Sequence, residues 1–249
     1  TVALNNALQG KFTAAYSDSL FLLFVLVAVD AAERGRAVTA GLAAAFAVDT
    51  RLLGLAVIPT LILLLRRRSA VLVVLLPAAA VALWLLYSHV HFGDAFATSH
   101  AEDRYWLRKP LQPHWIWHEF RNVPGALSQL TLHLPADGVY PRYIHTAAAD
   151  VYDFAFLALG AWLTWVAWKR LGRAFGLYSL LTLLIVVVTP TTWRPLLSMP
   201  RFLLADFPVF LALAALLDGR PRARELVLAG FAAVGAVLAV AFSRGLLVV

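Results

Sequence analysis

The chain has 249 residues, of which 61 % are hydrophobic and only 14 % are charged, and its mean hydropathy is +0.77. A soluble chain of this length would have to bury its helices on nearly all sides, which the surface-to-volume ratio of a small protein does not permit. The net charge of +7 would suggest a nucleic-acid partner in a soluble protein. Here the basic residues flank apolar segments, which indicates membrane helices and no nucleic acid. The absence of cysteine excludes disulfides and thiolate metal sites.

Apolar runs divided by short charged connections predict an all-α, polytopic integral membrane protein with a single transmembrane domain over residues 1–249. Residues 89–147 are polar and aromatic, and we expect them to form an outer loop with amphipathic helices. The first residue is Thr1 and no signal-peptide core follows it, so we expect the chain to be the C-terminal portion of a longer protein. The predicted spans are Asp18–Ala32, the block Ala37–Leu65, Ser69–Ser88, Ala148–Trp168, Phe175–Val188, Arg201–Leu217 and Glu225–Phe242.

The basic residues of the short connections predict the orientation. The positive-inside bias places them on the cytoplasmic side, so residues 1–17, 89–147, 189–200 and the C-terminus face outward. They are Arg34, Arg36, Arg66–Arg68, Lys169, Arg170, Arg173, Arg220, Arg222 and Arg224.

The block Ala37–Leu65 carries Asp49 and Arg51 in the middle of an apolar stretch. It is too long for one ordinary span and too short for two spans of about 20 residues each. Two short helices that meet at DTRLLG near the outer surface satisfy both the length and the charge distribution. One long tilted helix with an intramembrane ion pair is the alternative.

All seven histidines lie in or beside the outer loop. His114 and His118 are four apart with Glu119 adjacent, a spacing that suits a metal, but a helix lying on the membrane surface accounts for the same residues. The sequence therefore predicts no cofactor and leaves a divalent metal open. Another helical face could hold an anionic lipid headgroup or simply be solvated; it comprises Phe96, His100, Arg104 and Arg108.

Further polar groups lie at the outer ends of spans. Tyr16, Asp18 and Ser19 precede or begin the first span, where Asp18 would also serve as a helix cap. Arg201 lies at the start of the sixth span with Asp206 five residues later, and the two either form a structural pair or belong to a site. We expect AYSDS, DTRLLG, MPRFL and the GDAFATSH helix to converge on one side of the bilayer, around a site suited to a phosphate or a sugar.

Five segments, in order, resemble landmarks of one family. They are AAYSDSLFLL, GRAVTAGLAAAFAVDTRLLGLAVIPTLILLLRRR, HFGDAFATSHAEDRYW, SMPRFLLADFPVFLALA and AVAFSRGLLVV, and they cover roughly residues 12 to 246. The chain resembles the bacterial members of the GPI mannosyltransferase II-like (PIG-V-like) family of GT-C glycosyltransferases. Asp49, Asp94-Ala95 and His100 depart from the family pattern.

The resemblance implies an enzyme that transfers mannose or a related sugar from a polyprenyl-phosphate-sugar donor to a lipid or glycan acceptor. The reaction would take place on the outer face of a bacterial cell membrane, among membrane lipids. The family's catalytic acid would lie before Thr1, and Asp49 would neutralise Arg51. The substrate-binding residues would be Tyr16, Asp18, Ser19, Thr50, Arg51, Asp94, His100, Arg104 and Arg201. A transporter with a broken substrate helix and a non-catalytic membrane scaffold are the alternatives.

Overall fold

A computed structural model describes residues 17–65, 69–107, 147–191 and 199–243, together with eight positions between these ranges. The regular secondary structure of these residues is helical, and no strand occurs among them. The predicted all-α class is therefore confirmed.

The described residues from 17 to 93 form four helices and a short 3-10 segment. They are α1 (Asp18–Glu33), α2 (Ala37–Thr50), the 3-10 segment Leu52–Ala56, α3 (Val57–Leu64) and α4 (Ala70–Phe92). The block Ala37–Leu65 is thus broken at Arg51, as the pair of short helices predicted, and the single tilted helix is wrong. Helix α4 continues four residues beyond its predicted end and stops at Gly93, which adopts a left-handed conformation (φ 72°).

The described residues from Ala97 onward form six helices. They are α5 (Ala97–Trp106), α6 (Ala147–Arg170), α7 (Arg173–Val188), α8 (Met199–Leu204), α9 (Phe207–Leu217) and α10 (Pro221–Ser243). The sixth predicted span was wrong in its continuity, because the chain breaks at Ala205–Asp206 between α8 and α9. The last helix begins at Pro221 instead of Glu225, since proline is well suited to a first helical position.

Helix α2 lies at the centre of the first half and packs against both α1 and α4. Its buried face consists mainly of alanine with Gly41, and small side chains let helix backbones approach closely. A Cβ atom on Gly41 would lie 2.8 Å from the backbone oxygen of Leu72 on α4. Helix α3 connects this group to the second half by packing against α7, which also contacts α6.

Two contacts place the helix ends. Arg201 of α8 contacts Asp18 at the start of α1, and Arg170 at the end of α6 donates to the carbonyl of Ala215 near the end of α9 (3.0 Å). Helices α8 and α9 run in succession from Arg201, beside Asp18, to Ala215. Arg170 therefore lies at the end of the helices opposite to Asp18. The same topology places Arg34, at the end of α1, with Arg170. We call these the Asp18 end and the basic end.

One helix in the described part of the chain, α4, is long and apolar enough to cross a membrane. Only 17 % of its most apolar window is buried within the protein. Its exposed side chains include Val74, Leu83 and Leu86.

Candidate functional site: an arginine–aspartate–arginine cluster

Asp18 lies between two arginines that come from distant parts of the chain. One carboxylate oxygen forms an ion pair with Arg51, and the other accepts a hydrogen bond from Nε of Arg201 at 2.9 Å. The side chains of Arg51, Asp18 and Arg201 are 14 %, 25 % and 27 % exposed. The side chains of this Asp18 cluster are therefore mostly buried but retain some exposure.

The break after α2 positions Arg51. Arg51 has an extended backbone (φ −157°, ψ 142°), and its carbonyl accepts a hydrogen bond from the N–H of Gly54 at 2.8 Å. Gly54 packs directly on the last turns of α2, where a Cβ atom would lie 2.5 Å from backbone atoms of Ala47 and Val48. Only glycine allows this approach, so the DTRLLG sequence specifies the turn that directs Arg51 toward Asp18.

Helix α8 contributes the other side of the cluster. Arg201 reaches Asp18 directly, while the ring of the next residue, Phe202, lies 5.6 Å from the guanidinium carbon of Arg51. A cation over an aromatic face is attracted by the ring quadrupole. Although α8 is short, it therefore carries Arg201 of the cluster and places the Phe202 ring against Arg51.

The alternative in which Arg201 and Asp206 form a structural pair is wrong. Asp206 is fully buried at the α8–α9 break and accepts a hydrogen bond from the hydroxyl of Ser179 on α7 at 2.7 Å. Buried carboxyl groups require such partners, and this one connects the break to α7.

Asp49 does not neutralise Arg51, and that interpretation is also wrong. Asp49 is exposed, and Asp18 forms the ion pair. Two residues at i and i+2 do not face each other on a helix, so Asp49 and Arg51 diverge at the end of α2. Thr50 donates its hydroxyl hydrogen bond to the carbonyl of Phe46 (2.6 Å), within its own helix. Ser19 is exposed at the start of α1.

Asp94 and His100 form a second polar pair between α4 and α5. Nδ1 of His100 lies 2.7 Å from Oδ2 of Asp94, and the N–H of Phe96 donates to Oδ1 at 2.9 Å. The Phe96 N–H, and then the His100 ring, hold the pKa of the Asp94 carboxyl below its ordinary value, because both favour the ionised form. Arg104 is exposed on the same helix.

Three of the nine predicted site residues thus meet in one cluster: Asp18, Arg51 and Arg201. Asp94 and His100 meet in another, and Ser19, Thr50 and Arg104 take no part in these ion pairs. Tyr16 lies outside the described residues, as do Arg108 of the predicted basic face and His118 of the predicted metal pair. No group of three metal-binding side chains occurs among the residues that the structure describes.

The cluster has the chemistry of an anion site. Two guanidinium groups and one carboxylate leave one net positive charge, and guanidinium geometry matches phosphate oxygens. Partial burial strengthens such an interaction relative to water. The spacing of polar residues missed Phe202 and the Ser179–Asp206 bond, since both depend on contacts between separate helices.

Together, the fold and the site define an all-helical protein with a half-buried arginine–aspartate–arginine cluster at one end. In comparisons with known proteins, no family model, no curated protein and no solved structure matches the chain. The resemblance found in the sequence is therefore neither supported nor contradicted by relatives.

Proposed function

We propose that the chain is a membrane glycosyltransferase that moves mannose or a related sugar from a polyprenyl-phosphate donor to a lipid or glycan acceptor. The observation that carries the proposal is the Asp18 cluster, which joins Arg51 and Arg201 from two segments of the resemblance. The resemblance suggests the reaction, and the two arginines of the cluster have the charge and geometry to bind the donor phosphate that the resemblance implies.

A membrane location is supported by the exposed apolar surface. Helix α4 has the length of a span, and it lies on the outside of the bundle instead of in a core. Near its end, Trp84 stacks on Tyr87 (ring centroids 5.7 Å apart), and at the basic end of α6 Trp165 and Trp168 are exposed. Aromatic side chains at helix ends are typical of the interface between a membrane and water.

In the proposed reaction the acceptor hydroxyl gives its proton to the carboxylate base that the resemblance implies and attacks the anomeric carbon, and the bond from that carbon to the phosphate oxygen breaks. Negative charge then grows on the departing lipid phosphate. Arg51 and Arg201 would stabilise this charge, and Asp18 would hold the two guanidinium groups in place before the donor arrives. Preorganisation of this kind lowers the barrier because the groups need not reorient during the reaction.

The test is sugar transfer by the purified full-length protein in proteoliposomes that contain radiolabelled polyprenyl-phosphate mannose. We expect Arg51→Ala and Arg201→Ala each to lower kcat/KM at least about a hundredfold, in line with the loss of one charge-stabilising donor. Arg34→Ala is the matched control, because Arg34 pairs with Asp30 on the surface at the basic end.

Three results would contradict the proposal. They are no transfer from any polyprenyl-phosphate donor, unchanged donor binding in Arg51→Ala, and an equal loss in Arg34→Ala.

A transporter is the second candidate, and one observation favours it. Transporter sites often lie where two helices are broken. The structure has one break at Arg51 and another at Ala205–Asp206. Flux of a lipid-linked sugar across proteoliposomes, without transfer to an acceptor, would favour this candidate over the enzyme.

A further inference from the structure

A groove separates α9 from α10 at the basic end, away from the Asp18 cluster. The two helices are joined by a tight turn, in which the N–H of Arg220 bonds to the carbonyl of Leu217 (3.0 Å) and Gly219 adopts φ 70°. The helices diverge from this turn and leave a cavity of about 600 Å³.

The groove has two apolar walls and a basic mouth. Side chains at helical spacing form its two walls, Phe210, Leu213, Ala214 and Leu217 from α9 and Val227, Leu228 and Phe231 from α10. At the turn the lining changes to Arg220 and Arg224, four residues apart, with Asp218 between them and α9. Neither arginine forms an ion pair with a residue that the structure describes.

The mouth therefore has a net positive charge, which attracts anions. The first N–H groups of α10 have no carbonyl partner within their helix, and the helix dipole adds positive potential there. The apolar walls continue for about 10 Å from Arg224 to Phe231, at 1.5 Å per helical residue. An occupant must be anionic at one end and apolar along the rest.

We propose that this groove binds an anionic phospholipid, with the phosphate against Arg220 and Arg224 and an acyl chain between α9 and α10. Charge complementarity selects this occupant over a neutral lipid, and the apolar walls select it over free phosphate. The basic end is also the end that the charge distribution assigns to the cytoplasmic side, where the leaflet is rich in anionic lipids. The inference depends on the proposed membrane location but not on sugar transfer.

The experiment titrates the purified chain in detergent with phosphatidylglycerol or phosphatidylcholine and measures binding by native mass spectrometry. We expect phosphatidylglycerol to bind about tenfold more tightly, the equivalent of one charge-assisted hydrogen bond. Arg224→Gln should remove most of that preference. Arg222→Gln is the matched control, because it makes the same charge change on the same turn but does not line the groove.

A second variant tests the acyl part. Ala214→Trp fills the groove and leaves both arginines in place, so it should weaken phosphatidylglycerol binding about tenfold as well. Far-UV circular dichroism of each variant confirms that the helices are intact, and Leu228→Ala provides a smaller perturbation if Ala214→Trp does not fold.

Several outcomes would overturn the proposal. Equal effects of Arg222→Gln and Arg224→Gln would show a diffuse charge effect. Binding of inorganic phosphate as tight as that of the lipid, unaffected by Ala214→Trp, would show a headgroup site without an acyl groove. If the parent chain forms a dimer and Ala214→Trp dissociates it, the occupant of the groove would be a second copy of the chain. Extraction of the chain from membranes by carbonate would instead refute the proposed membrane location.

Discussion

At the scale of single residues, the two arginines of the site share one partner. The sequence offered each arginine an acid nearby, Asp49 for Arg51 and Asp206 for Arg201, and both pairings were wrong. Asp18, which lies 183 positions from Arg201, pairs with both arginines through its carboxylate. The sequence singled out Asp18, Arg51 and Arg201 among nine candidate residues, but their pairing depends on how α1, α2 and α8 pack.

Loss of the Asp18 carboxylate, which both arginines share, should therefore lower the free energy of unfolding more than loss of an exposed carboxylate. Asp18→Asn leaves two half-buried guanidinium groups without their carboxylate, and we expect the free energy of unfolding to fall by about 1–3 kcal/mol. Chemical unfolding in detergent, followed by far-UV circular dichroism, measures this change. Asp30→Asn is the control on the same helix, since the Asp30–Arg34 pair is exposed and should change little. A similar loss in both variants would show that Asp18 has no special structural role.

The Asp94 carboxyl should make the stability of the protein depend on pH. The pKa of its carboxyl is lowered in the folded protein, so its contribution to stability is present above the ordinary pKa and is lost as the pH falls through the lowered value. The Phe96 N–H is the larger cause and the His100 ring the smaller one. In His100→Ala, the ¹³C shift of the Asp94 carboxyl should therefore still titrate below its ordinary value, although less far. A return to the ordinary value would make His100 the main partner.

At the scale of elements, hydrophobicity and charge predicted most helices to within a few residues. Apolar runs set the helix lengths, and basic connections marked their ends at Arg34 and Arg170. The break between α8 and α9 was missed, because LLADFPVF remains apolar on both sides of Asp206. The buried bond from Ser179 satisfies one oxygen of the Asp206 carboxyl, and a contact with a different helix leaves no local signal in the sequence.

The break after α2 gives the clearest prediction at this scale. Gly54→Ala would place a Cβ atom 2.5 Å from backbone atoms of α2, and backbone cannot move away as a flexible side chain can. We expect a loss of about 1–3 kcal/mol in the free energy of unfolding, as for other overpacked sites. Weaker binding of a phosphate ligand should accompany it, because Arg51 would shift.

Gly230→Ala is the matched control for this change. Gly230 lies within α10, and nothing lies within 4 Å of a Cβ atom added there. Alanine should leave stability unchanged or raise it by up to about 1 kcal/mol, since it favours helix more than glycine does. Unchanged stability in Gly54→Ala would show that the close approach to α2 is not required.

The buried bond at the second break can be tested in the same way. Ser179→Ala removes the hydroxyl that donates to the Asp206 carboxyl, and no other donor to this carboxyl occurs among the described residues, so the loss should cost about 1–3 kcal/mol. Thermal unfolding in detergent measures the effect. Ser99→Ala, an exposed change on α5, should have little effect, and equal stability of the two variants would show that water replaces the Ser179 hydroxyl.

At the scale of the whole molecule, the contacts between helices and the positions of the basic residues define the same two ends. Three of the four predicted outward elements contribute residues that meet, namely Asp18, Arg51 and Arg201, while Arg34 and Arg170 lie at the opposite end of the helices. The positive-inside bias then predicts that Ser99 on α5 and Glu33 at the end of α1 face opposite sides of a membrane. Both residues are exposed, so either can carry a label without disturbing the core.

The chain contains no cysteine, which makes this orientation directly measurable. Ser99→Cys should react with a membrane-impermeant maleimide on intact cells, because it lies on the outer side. Glu33→Cys should react only after the membrane is permeabilised, and the parent chain should not react at all. If both cysteines react on intact cells, the two ends share one compartment, and the proposed membrane topology and outward-facing site are wrong. If only Glu33→Cys reacts, the orientation is inverted, and the Asp18 cluster would have to take its donor from the cytoplasmic side.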